Sequence, residues 1–171
     1  LRQASPGEFW FGIAAFLGVI FVDVLQGMVI GLVASLLFVI YRSSRPHISV
    51  LGRVPTAPGA YSDVKQHPEN IQIPGLLILR LNGVMYYANA RTVRNTFKAI
   101  VTEMSPAPRA IIVDAAVQED LDVTSTAMLR SLYKELHTMG IKIYLVEVQP
   151  PVLEYGRKFG LLEFIGDDQI F

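Results

Sequence analysis

Cysteine is absent from the 171 residues. That excludes disulfides, thiolate metal sites and cysteine nucleophiles. Charge is scarce: Asp, Glu, Lys and Arg make up 18% of the chain, against about 25% in soluble domains. Neither sign is in excess, because 15 basic residues meet 15 acidic ones, so nucleic acid is not expected as a partner. The glycine-rich phosphate loops GxxxxGK[ST] and GxGxxG are missing, as is the hydrolase signature GxSxG. Three histidines occur, His47, His67 and His137, and no two share a metal-ligand spacing. The sequence therefore predicts no catalytic, cofactor-binding or metal-ligating residue, and no enzyme.

What is present is a strong asymmetry. Mean hydropathy is +0.39, and the apolar excess is confined to the first 41 residues. That stretch holds only Arg2, Glu8 and Asp23 as charges, leaving 14 basic and 13 acidic groups for the remainder. Residues 9–22 and 24–41 are uncharged runs of 14 and 18 residues. A bilayer span needs ~20 apolar residues, so the second run predicts a transmembrane helix. The pair predicts a helical hairpin turning near Asp23, and its length argues against a cleaved signal peptide. Gly27, Gly31 and Ser35 recur every four residues, which predicts a face for close helix packing. Arg42 and Arg45 follow at once. Basic residues beside a span mark its cytoplasmic end, so both are read as membrane-exit anchors. Pro46 is read as ending the helix.

From His47 onward the pattern changes. Residues 47–54 and 76–83 read as strands, separated by a loop rich in turn formers. Val93, Phe97, Ile100, Val101 and Met104 share one helical face. Residues 110–117 are apolar apart from Asp114, as a buried central strand would be. Leu129, Leu132, Leu136 and Met139 mark a second helix, capped by Asp122 or Thr124 and ended by Gly140. Residues 141–148 form a further strand, a helix opens at Pro150, and the last residues run into a final strand. Alternating strands and helices predict an α/β domain with a mainly parallel central sheet flanked by helices. The domains are thus a membrane part, 1–46, and a soluble part, 47–171.

One stretch could carry regulation. "DVTST", residues 122–126, lies at a predicted helix N-terminus, where free N–H groups attract anions. A phosphate on Thr124 or Ser125 would sit in that field beside Asp120 and Asp122. The plainer reading is that Asp, Ser and Thr are ordinary capping residues.

The blocks "RSSRPHISVLGRVP", "YSDVKQHPENIQIPGLLILRLNGVMYYANA" and "VDAAVQEDLDVTSTAMLRSL" resemble the SulP sulfate-permease family of anion transporters. The apolar part resembles that family's last two membrane helices, and the rest resembles its cytoplasmic STAS domain. The resemblance implies a C-terminal fragment of a secondary active anion transporter, for sulfate, in the inner or plasma membrane. The anion would bind upstream, so no substrate residue is expected here. It also implies a homodimer, and a STAS domain serving regulation and assembly. The alternative is a membrane-anchored signalling module that binds a cytosolic protein under phosphate, anion or nucleotide control. Related domains often read D-[ST]-[ST]-G before the second helix. Here Asp122 is followed by Val123, Thr124 and Ser125, so the first hydroxyl and the glycine are replaced. The family's closing C-terminal helix is expected to be missing after Phe171.

Overall fold

The computed structural model describes Trp10, residues 12–13 and 16–17, and residues 24–171. The chain divides into two compact units, Leu1–Ser44 and Arg45–Phe171. In the first, α1 is Val24–Ser43, a 20-residue helix long and apolar enough to cross a membrane. Ser44 closes it, donating from both its N–H and its hydroxyl to the Ile40 carbonyl. The helix ends just before Pro46, which disfavours a helical conformation at Arg45 and offers no N–H to extend the ladder. The predicted hairpin turn and most of its first helix lie outside the described residues.

The small-residue stripe is rotated from its expected position. Gly27 is buried and Gly31, Ala34 and Phe38 are half-buried, whereas Ser35 is exposed. Offsets of four, three and four residues follow the true helical repeat, which a strict spacing of four overshoots.

The second unit is an α/β domain. Its elements are β1 (Ile48–Arg53), β2 (Tyr61–Asp63), β3 (Leu76–Leu81), α2 (Ala90–Glu103), β4 (Ala110–Asp114), α3 (Val123–Thr138), β5 (Lys142–Val146), α4 (Pro150–Lys158) and α5 (Leu162–Ile165). A short 3₁₀ turn, Asp167–Gln169, follows. The sheet order is β2-β1-β3-β4-β5. β1 is antiparallel to both β2 and β3, while β3, β4 and β5 are parallel. The sheet is thus mixed, where the sequence predicts a mainly parallel one. The cause is the link from β1 to β3. It is a loop containing β2, and a parallel return needs a crossover, usually helical.

Leu77, Ile111 and Ile143 lie in register across the three parallel strands, and all are buried. Val93, Phe97 and Val101 of α2 and Leu132 and Leu136 of α3 join them in one core. Ile78, Ile112 and Tyr144, one residue along, face the other way and are only half-buried. Met139, expected on the core face of α3, is exposed, because it lies past the last helical residue as the C-cap. The predicted final strand reduces to a parallel bridge between Leu145 and Ile170, with the Phe171 N–H donating to the Leu145 carbonyl at 2.9 Å.

Candidate functional site

The two parallel strands β3 and β4 end at the same side of the sheet. Open α/β sheets present their sites there, outside the carboxyl ends of the strands. The loops that follow, residues 82–89 and 115–122, are bonded to one another. Gln118, buried between them, accepts from the Met85 N–H and donates to the Gly83 carbonyl, both at 2.9 Å. Asn89, fully enclosed ahead of α2, accepts from the Tyr86 N–H and donates to the Val84 carbonyl, also at 2.9 Å. These amides supply a donor and an acceptor each, which suits them to backbone groups that no strand or helix pairs.

Asp122 completes the join. As the N-cap of α3 its Oδ1 accepts from the Ser125 N–H at 2.7 Å. Its Oδ2 accepts from the Tyr87 N–H across the loops. The Thr126 hydroxyl donates back to the Asp122 carbonyl at 2.9 Å. Asp122 is therefore the cap of α3, not Thr124. Its carboxylate is itself the anion at this helix end, satisfying N–H groups that an external phosphate or sulfate would otherwise take. Any such ligand must compete with it.

The two hydroxyls singled out by the sequence fall in opposite environments. Thr124 is exposed in the first turn of α3. Ser125 is wholly enclosed, and its Oγ has no hydrogen-bond partner in the structure. Arg42 lies in the last turn of α1, and Arg45 begins the second unit; both are exposed. The site thus brings Asp122, Thr124 and Ser125 together, and the two arginines belong to a different part of the chain.

Sequence reasoning missed the polar wiring. Asp114, buried at the end of β4, accepts from the Arg80 Nε at 2.7 Å and from the Ala116 N–H at 3.0 Å. Arg80 and Asp114 are register partners on β3 and β4, and a lone aspartate closing an apolar strand was the available signal. At the start of β1, Asp63 accepts from the Ser49 hydroxyl at 2.7 Å, and His47 Nε2 lies 3.5 Å away. The Ser49 hydrogen bond, followed by the Lys65 N–H and His47, outweighs burial and holds the Asp63 carboxyl below its ordinary value. On the helices, Lys98 and Arg94 of α2 both pair with Glu135 of α3, and lower its pKa in the same way. Among the described residues no group of three or more acidic or histidine side chains is placed to hold a metal.

Comparisons with known proteins bear on these features. Residues 67–171 match the model of the STAS domain family. The chain is 33% identical to Sulfate transporter 1.1 of Arabidopsis thaliana over 174 aligned positions, covering 96% of this chain and 26% of that protein. It is 29% identical to High affinity sulfate transporter 2 of Stylosanthes hamata, covering 100% of this chain and 27% of that one. The fold is similar to that of the murine Solute Carrier 26 family member A9 anion transporter in its inward-facing state. There the TM-score is 0.81 at 22% identity, covering 99% of this chain and 27% of the other. The chain spans about a quarter of the length of the curated relatives it matches.

Proposed function

We propose a function from one premise: the chain belongs to the STAS domain family. It is the C-terminal part of a secondary active anion transporter, and sulfate is the substrate. Its domain tunes and assembles the transporter and does not conduct. The observation that carries this is the 33% identity to a sulfate transporter along 96% of the chain, so that the likeness includes both the apolar helix and the domain. A free-standing signalling domain would be matched over the domain alone.

The remaining parts follow from that reading. Residues 1–46 belong to the membrane core and 47–171 form the regulatory domain. Arg42 and Arg45 anchor the cytoplasmic end of α1, which puts the domain in the cytoplasm of a multi-pass protein of the inner or plasma membrane. The anion binds upstream of this chain, and the assembled transporter is a homodimer. Removing residues 47–171 from the full-length parent tests the regulatory role. Surface level, assembly or sulfate uptake is expected to fall. If all three stay normal, the domain has no such role.

A second reading has one observation in its favour. Thr124 is exposed on the first turn of α3, where a phosphate would meet Asp122 and alter any docking surface. In that reading the domain binds a cytosolic protein under phosphate control. Thr124→Ala and Thr124→Glu are then expected to move transport or partner binding in opposite directions. Equal behaviour of both variants and the parent would remove the switch.

A further inference from the structure

A cavity of about 110 Å³ lies inside the second unit, between the sheet and its helices. Its wall takes Leu79 from β3, Val113 from β4, Leu145 from β5, Phe97 from α2, Leu132 from α3 and Val152 from α4. Protein interiors are close-packed, and voids larger than a water molecule are few. A water's share of the liquid is about 30 Å³, so this void is several times that size. It also reaches beneath the joined loops, because Met85 and Gln118, which bond to one another, both lie on its wall.

The wall has little to offer water. Its polar side chains are Asp114, Gln118 and Tyr133, and each is already engaged. Asp114 accepts from Arg80 Nε and the Ala116 N–H. Gln118 accepts from the Met85 N–H and donates to the Gly83 carbonyl. The Tyr133 hydroxyl lies 3.4 Å from the Gln169 side-chain amide. Among the described residues, the buried side-chain polar atoms without a partner are Arg94 Nε and Ser125 Oγ, and neither residue is on the wall. A buried water needs about two to four polar partners, whereas an apolar cavity stays dry.

We infer that this cavity is a binding site for a small uncharged hydrocarbon, no larger than one benzene ring. Size and chemistry choose the ligand. An engineered apolar cavity of about 150 Å³ takes benzene or xenon, and this one is somewhat smaller. A ligand with its own donor or acceptor would bury that group without a partner, which is costly. α1 is long and apolar enough to cross a membrane, and apolar molecules leave water for hydrocarbon, so the chain sits where such ligands collect. Binding to the folded state alone stabilises it by mass action.

The test is a benzene titration of the whole chain in detergent, followed by NMR of ¹³C-labelled methionine methyls. Met85 is buried on the cavity wall, Met28 is exposed on α1 and Met139 is exposed beyond α3. The Met85 methyl is expected to shift and saturate. Met28 reports benzene dissolved in the micelle and should move without saturating, and Met139 should stay still. Pyridine has the same ring size and a nitrogen that needs a donor, and it should give no saturable shift. Val113→Ile with Val152→Ile narrows the cavity and should weaken saturation severalfold. Leu136→Ala widens it and should strengthen saturation. Either variant decides the matter if the other fails to fold. A Met85 methyl that stays still or merely tracks Met28 would overturn the inference. So would pyridine saturating like benzene, or saturation unmoved by the variants that fold.

Discussion

At the scale of single residues, the candidate site is governed by which groups already have partners. Ser125 buries a hydroxyl with nothing to bond, and an unsatisfied buried polar group costs about 1–3 kcal/mol. Ser125→Ala is therefore expected to leave melting unchanged or raise it. Ser125→Asp is expected to lower it by several degrees, since it buries a charge without a partner. Thermal unfolding of the detergent-solubilised chain reads both, and a clear loss in Ser125→Ala would show that the hydroxyl is bonded. Asp63 makes a pH prediction. Its folded pKa lies below the ordinary 3.8. Its stabilisation is thus complete above that value and disappears as pH falls through the lowered one. Asp63→Asn should flatten the acid limb of the melting profile and remove a fixed increment at neutral pH. A variant that keeps the full acid dependence would place the effect elsewhere.

Among elements, β1 is the most constrained by its surroundings. A Cβ on Gly52 would lie 2.9 Å from the Asn70 Cβ and 3.0 Å from the Val64 Cγ2. Gly52→Ala should cost about 1–3 kcal/mol, as overpacking does, read as a lowered melting temperature. A neutral result would mean that the loop over β1 shifts freely. The helices were legible because their apolar positions repeat: Val93, Phe97 and Val101 of α2 were named and are buried. Asp122 stood among the expected caps for the same local reason. β2 was not legible. Three residues inside a turn-rich loop carry no period, and pairing with β1 alone makes them a strand. The direction of β1 was hidden too, since strand direction depends on how the chain returns. Nor could the sequence tell Thr124 from Ser125, because exposure on the first turn of α3 depends on what packs beside it.

At the scale of the whole molecule, the apolar helix 24–43 and the mixed-sheet domain follow each other with four residues between them. The helix presents Leu25, Met28, Leu32 and Leu36 exposed, a surface suited to lipid or to other membrane helices and not to water. The uncharged run 24–41 carried that conclusion from sequence alone, and the change of composition at Arg42 marked where a different kind of structure begins. What composition could not carry was the joining of two loops at one end of the sheet, which depends on the buried amides of Gln118 and Asn89. The proposed function makes this chain part of a sulfate transporter. The most direct measurement is uptake of labelled sulfate by the full-length parent in cells lacking their own importers, with bicarbonate and small dicarboxylates as competitors. Uptake well above the empty-vector level is expected, displaced by unlabelled sulfate more strongly than by either competitor. Protein present in the membrane with no uptake above that level would contradict it.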